Sequence, residues 1–350
     1  MEKIKVFIID DSAIVRQILT DSLSRHPGIE VVGSAPDPFI ARDKLETLDV
    51  DVITLDIEMP RMDGLTFLKY LMKYRPIPVI VVSSLTDNAN RASMEAMEMG
   101  AADIVPKPGG PFSVDEVVET LIEKIRIVHC IDPDKLSKYS EQPEPEKCRK
   151  SGRNILSTIS GTNKLIAVGA STGGTQALEI LFGTFGIHFP PTLAVIHMPA
   201  KFTDTFAKRL NEICPVTVKE AVHDELILPG TVYLAPGNYH LTLKSVGTEN
   251  RIRIVMGPKF YNQRPAVEVL FDSVAENIGR NSLGVLLTGM GKDGAQGLLN
   301  IKKSGGITVA QDEKTSIVYG MPKEAADIGA ADYILPLDKI TDFIREKLKL

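Results

Sequence analysis

Cysteine is scarce in this chain and tryptophan is missing altogether. The three cysteines, Cys130, Cys148 and Cys214, are scattered, odd in number and not in a C-x-x-C arrangement. That argues against a disulfide framework or a zinc site and suits a reducing cytoplasm. No stretch approaches the ~18 apolar residues of a membrane span, so membrane insertion is not expected. Met1–Lys5 leads straight into an apolar run, so a signal peptide is not expected either. Positive charge is not in surplus: the net charge is -5. Of the 40 basic and 45 acidic residues, 21 and 19 fall in 151–350, leaving 19 and 26 in the first 150. The back half has neither a basic stripe nor a helix-turn-helix pattern, so nucleic acid is not an expected partner. The acidic front half suits a cation-binding carboxylate cluster.

What is present is alternation. At 350 residues the chain has room for two domains, each with its own core. Apolar, β-rich runs lie near 5–10, 30–35, 52–57, 78–84 and 103–106. Helical patterns lie near 12–24, 38–48, 64–74, 89–99 and 113–129. Five strands alternating with five helices predict a doubly wound parallel sheet. Residues 131–160 are charged, proline-punctuated and poor in large apolar groups, which reads as a linker. From Lys164 a second α/β pattern begins, giving boundaries of 1–130, 131–160 and 161–350. Strands are expected at 165–169, 193–198, 283–288 and 307–310, and helices at 175–185, 202–213, 265–279 and 295–304. Between them, runs at 216–221, 231–235, 240–245 and 251–256 look more antiparallel. Gly237-Asn238 fits the turn of a β-hairpin insertion.

In α/β sheets, sites form beyond the carboxyl ends of the strands. In the front half those ends carry Asp10 and Asp11, Asp56, Ser83, and Lys107 between Pro106 and Pro108. A carboxylate can attack phosphorus and form an acyl phosphate. Its repulsion from the phosphoryl oxygens must be offset, and magnesium on oxygen ligands does this. Asp56 is therefore the expected phosphoacceptor. Asp11, Asp56 and the Glu58 carbonyl would hold Mg2+, with Asp10 binding through water, while Ser83 and Lys107 contact the phosphoryl group. Any one of these residues could be a plain surface group; five at matching topological places argue otherwise. Residues 1 to about 128 resemble the receiver domain of bacterial response regulators, a flavodoxin-like fold. The paired acids, Asp-Ile-Glu-Met-Pro and Lys-Pro fall in matching order, with Ser83 where many receivers have threonine.

In the back half, Gly169-Ala170-Ser171-Thr172-Gly173-Gly174 joins a strand to a helix. This suits a G-x-S-x-G turn exposing a serine nucleophile, or a glycine-rich phosphate cradle. Against the cradle, no G-K-[ST] ending follows. A serine nucleophile needs a base and an orienting acid. His197 ends the next strand, beside Ser171 if the two strands are parallel neighbours. His188 and His223 fit less well, and His240 remains a possible substrate-side residue. The acid is Asp293, in a glycine-dense loop after an apolar strand. It could equally be a turn aspartate capping helix 295–304, and the two roles are compatible.

Residues 163 to 348 resemble the catalytic domain of the chemotaxis protein-glutamate methylesterases (the CheB family). G-A-S-T-G-G, I-H-M-P, Y-x-A-P-G-x-x-H and L-T-G-M-G-x-D-G stand in that order. The resemblance implies Ser171 as nucleophile, His197 as general base and Asp293 as orienting acid. It also implies backbone N–H groups near Thr172 and Met290 as oxyanion donors. The implied substrate is the glutamate γ-methyl ester on cytoplasmic helices of chemoreceptors, with deamidation of glutamine in some relatives. A histidine kinase is the implied phosphodonor. Magnesium is expected to serve the receiver half, and no cofactor is expected for the esterase. With both domains in one chain, the expectation is a receiver that covers the Ser171 site until Asp56 is phosphorylated.

Overall fold

The computed structural model describes residues 2–60, 62–109, 113–132, 135, 164–247 and 249–350. The predicted linker lies almost wholly outside the described residues. The chain divides into two compact units, 1–143 and 144–350.

In the first unit, β1 (Ile4–Ile9), α1 (Ala13–Ser24), β2 (Ile29–Ala35), α2 (Pro38–Leu45) and β3 (Val52–Leu55) come first. They are followed by α3 (Gly64–Tyr74), β4 (Val79–Ser83), α4 (Asp87–Glu98), β5 (Asp103–Pro106) and α5 (Val114–Val128). The sheet order is β2-β1-β3-β4-β5 and every pairing is parallel. Strands β3 and β4 are buried along their whole length, as parallel strands covered on both faces must be. Each helix is started by its own side chain: Ser12, Asp37, Asp63, Thr86 and Ser113 accept from first-turn N–H groups. Ser113 and Glu116 complete a capping box.

The second unit holds β6 (Leu165–Ala170), α6 (Gly174–Gly183), β7 (Thr192–Ile196), α7 (Phe202–Ile213), β8 (Thr217–Glu220) and β9 (Thr231–Leu234). Next come β10 (His240–Val246), β11 (Glu249–Val255), α8 (Val267–Asn277), β12 (Ser282–Leu286) and α9 (Ala295–Lys303). Last are β13 (Ile307–Gln311), α10 (Met321–Asp327), β14 (Tyr333–Leu335) and α11 (Leu337–Leu348). Seven strands form a sheet in the order β14-β13-β12-β6-β7-β9-β8. Its core includes Leu165, Leu193, Val195, Leu270, Phe271 and Leu286. None of the six helices carries a side-chain cap on its own N-cap residue. Among the described residues no helix is long and apolar enough to cross a membrane.

The fold class expected from the sequence is the one observed: a parallel five-stranded unit, then a mainly parallel unit with an antiparallel hairpin. Two details differ. The runs near 216–221 and 231–235 are not antiparallel: β8 pairs with β9, and β9 with β7, all in parallel. The hairpin turn is also not at Gly237-Asn238, because β9 and β10 lie in different sheets. The antiparallel pair is β10 with β11, where Val246 faces Glu249 and Gly247 adopts φ +63. Gly237 instead lets another segment approach, since a Cβ there would lie 2.3 Å from the Ala200 backbone nitrogen. Glycine marks both situations in a sequence, and only packing separates them.

Candidate functional site

In the first unit β1 and β3 are neighbours in the sheet, so the acids beyond their ends meet. The Asp56 N–H donates to the Ile9 carbonyl at 2.8 Å. Gly64, at the start of α3, sits against the same turn: a Cβ there would lie 2.3 Å from the Asp56 carbonyl oxygen. One carboxylate oxygen from each of Asp10, Asp11 and Asp56 falls within 4.8 Å of the others. The Lys107 ammonium donates to Asp56 Oδ2 at 2.7 Å and lies 3.1 Å from Asp10 Oδ2. Asp10 is buried, with that ammonium as the ion-pair partner of its Oδ2. Burial pushes the Asp56 carboxyl up to about 6 against the opposing pull of Lys107, and raises Asp10 for the same reason. Ser83 is buried, and its hydroxyl approaches the carbonyls of Ser84 (3.3 Å) and Ala89 (3.5 Å). Glu58 donates its N–H to Asp56 Oδ1 at 3.1 Å. Its side chain accepts from Ser84 Oγ at 2.8 Å.

In the second unit, β6 lies between β12 and β7. Ser171 follows β6, His197 follows β7, and Asp293 lies in the loop after β12. The register makes these ends level: Gly169 faces both Val195 and Leu286. The Ser171 N–H donates to the Thr288 carbonyl at 2.9 Å, and the His197 N–H to the Ala170 carbonyl at 3.3 Å. The side chains then form a chain of hydrogen bonds. His197 Nδ1 is 3.0 Å from Ser171 Oγ, and His197 Nε2 is 2.7 Å from Asp293 Oδ2. An ionised Asp293 can only accept, so Nε2 carries the proton and Nδ1 accepts from the serine hydroxyl. The ring is turned the opposite way from the chymotrypsin arrangement, in which Nε2 faces the serine. Both nitrogens belong to one conjugated ring, so either can serve as the base.

Comparison with known proteins places the chain in a family. The CheB methylesterase family matches residues 166–344, and the response regulator receiver domain family matches residues 6–121. A protein-glutamate methylesterase/protein-glutamine glutaminase of Syntrophus aciditrophicus is 53% identical over 98% of this chain and 99% of its own length. Another, from Sulfurimonas denitrificans, is 47% identical over 96% of each chain. The chain belongs to the CheB methylesterase family. The crystal structure of the Thermotoga maritima CheB methylesterase catalytic domain is 40% identical. It is covered completely by 53% of this chain, with a TM-score of 0.52.

In this CheB-family chain the glycines around Ser171 serve packing. A Cβ at Gly169 would lie 2.2 Å from Val267, at Gly173 2.6 Å from Ile317, and at Gly289 2.6 Å from the Ser171 Cβ. Gly173 also adopts φ +77 at the N-cap of α6. Close packing accounts for these glycines without a bound phosphate. Thr172 is buried, and its carbonyl lies 3.0 Å from Thr288 Oγ1. Met290 is exposed, in a loop whose Gly289 carbonyl accepts from the N–H groups of Gly320 and Met321.

The role of Glu268 and the amides that Asp293 serves were not foreseen from the sequence, and His240 has a different role from the one considered. Asp293 does not cap its own helix α9: its Oδ2 and Oδ1 accept from the N–H groups of Val267 and Glu268, both at 2.8 Å, which start α8. Glu268 is buried and pushed up to about 7, chiefly by that burial. An acid inside the apolar run from Ala266 to Phe271 was a visible signal, although it reads as an ordinary first-turn helix acid. His240, considered for the substrate side, is buried with both ring nitrogens engaged. One accepts from the Ala266 N–H at 3.2 Å, and the other donates to the Pro258 carbonyl at 2.9 Å. It holds the segment that leads into α8.

Proposed function

We propose that this protein is a phosphorylation-activated serine esterase that hydrolyses glutamate γ-methyl esters on chemoreceptors and deamidates receptor glutamines. The observation that carries the reading is the hydrogen-bonded chain from Ser171 through His197 to Asp293. Ser171 Oγ attacks the ester carbonyl while His197 Nδ1 takes its proton. The Asp293 carboxylate holds Nε2–H and stabilises the imidazolium. The oxyanion is met by backbone N–H groups of Thr172 and Met290. His197 returns the proton to the leaving methanol. Water, activated by the same ring, then cleaves the acyl-enzyme and restores the glutamate carboxylate and the serine hydroxyl. A glutamine follows the same route and releases ammonia. The test is methanol release from methylated receptor, measured with and without a small phosphodonor. A chain that releases no methanol under either condition refutes the reading.

In the receiver unit, Asp56 is the phosphoacceptor and a histidine kinase is its donor. Asp11, Asp56 and the Glu58 carbonyl would hold magnesium, with Asp10 bridging through water. The residues fit such an ion, because one oxygen from each of three carboxylates converges within 4.8 Å. When bound, the cation neutralises charge between the carboxylate and the incoming phosphoryl group. Lys107 neutralises the rest, and Ser83 supplies a hydroxyl to a phosphoryl oxygen. A typical coupling of ~1–3 kcal/mol corresponds to roughly 5–150-fold activation. Asp56→Asn is expected to abolish that activation while leaving basal methanol release unchanged. Full activation of the variant would refute the assignment.

Magnesium affinity is expected to depend on pH. Burial raises the Asp56 carboxyl to about 6, so below that pH a proton competes with the cation for the same oxygens. Calorimetric titration should show affinity falling as pH drops through about 6. An affinity flat across that window would show that Asp56 does not contact the ion.

A further inference from the structure

Two helices at the hydrolytic centre exchange their caps. α8 has no side-chain cap at Ala266, and Asp293 takes its first two free N–H groups. The N-cap of α9 is Gly294, with φ +85 and again no side-chain cap. Its Gly294 N–H donates to Glu268 Oε2 at 3.0 Å. Asp293, two residues before α9, therefore closes α8, and Glu268, the second residue of α8, closes α9. Glycines let the two helices come this close. A Cβ at Gly294 would lie 2.4 Å from Val267 Cγ1, and one at Gly297 would lie 2.7 Å from the Phe271 Cβ. Both carboxylates are buried, with Glu268 3% and Asp293 2% exposed.

We propose that Glu268 is a positioning residue of the esterase. Through the Gly294 N–H it holds the loop that carries Asp293, and so the aim of Asp293 Oδ2 at His197 Nε2. This rests on the reading of Ser171, His197 and Asp293 as the hydrolytic group. Asp293 Oδ2 already serves two donors, His197 Nε2 and the Val267 N–H. A shift of the 293–294 turn would trade one contact for the other, and a misplacement of about 1 Å in such a group can cost on the order of 10²-fold in rate. The site needs an acceptor oxygen at 268 more than a full charge. The elevation of this carboxyl to about 7 is consistent with that. Glutamine is therefore the conservative replacement, and methionine fills the same volume without a strong acceptor.

The experiment uses the full chain and methylated receptor, with Glu268→Gln and Glu268→Met beside wild type and Ser171→Ala. Rates of labelling by a serine-directed phosphonate and thermal midpoints are measured in parallel. Glu268→Gln is expected to keep most of the wild-type kcat. Glu268→Met is expected to lose on the order of 10²-fold in kcat at unchanged KM, with phosphonate labelling slowed to match. A folded Glu268→Met with wild-type kcat would overturn the proposal, as would a loss confined to KM. If Glu268→Met does not fold, Glu268→Gln decides: a kcat collapse at a wild-type thermal midpoint overturns the acceptor role, and retained kcat upholds it. Turnover by Ser171→Ala would instead refute the underlying triad reading, so the two failures are distinguishable.

Discussion

Ser171→Ala is expected to release methanol from methylated receptor on the order of 10⁶-fold more slowly than wild type, the scale seen when a serine hydrolase loses its nucleophile. The loss should come without unfolding. The Ser171 turn is held by its backbone, with the N–H donating to the Thr288 carbonyl and the carbonyl accepting from the Gly174 N–H. Its hydroxyl is directed at His197 Nδ1, and alanine removes only that oxygen. The variant should keep its thermal midpoint and lose labelling by a serine-directed phosphonate. Turnover near the wild-type rate would mean that another group attacks the ester.

Asp293→Ala is expected to lower kcat on the order of 10⁴-fold, between the deletion of a nucleophile and the deletion of a supporting contact. The carboxylate accepts three hydrogen bonds: from His197 Nε2, from the Val267 N–H and from the Glu268 N–H. Alanine releases the imidazole to either tautomer, and the one with a proton on Nδ1 cannot take a proton from Ser171. It also strips the cap from α8. Removing an N-cap acceptor typically costs about 0.5–2 kcal/mol, so the thermal midpoint should fall together with kcat. An aspartate that only oriented the histidine would leave stability unchanged. Turnover near the wild-type rate with a lowered midpoint would reduce Asp293 to a structural cap.

The two predictions differ because of where the residues sit. Ser171 stands on a turn fixed by glycine packing, so its side chain can be removed alone. Asp293 is shared between the histidine and a helix start, so function and stability move together. The same sharing extends to Glu268, whose carboxyl group is tied to the turn that follows Asp293.

Much of this protein was legible in the residue order, and the reason is local. Alternation of apolar and helical patterns depends on neighbours a few positions apart, so the ten elements described between Ile4 and Val128 could be anticipated. Strand ends are local too, which is why Asp10, Asp56, Ser83, Lys107, Ser171 and His197 could be singled out. Pairing is not local. Strands β8 and β9 looked antiparallel along the chain but joined a parallel sheet, because the direction of a pairing is set by the helix or loop that returns the chain. Gly237 looked like a turn and proved to be a close approach. The acid at 293 stood next to α9 in sequence, yet it closes α8, which begins 26 residues earlier. Residue types and periodicity along the chain thus determined the sheets and the candidate chemistry. Only packing between helices far apart in sequence decided which buried amides those carboxylates satisfy, since an unpaired N–H in the interior must find whichever acceptor the fold brings within reach.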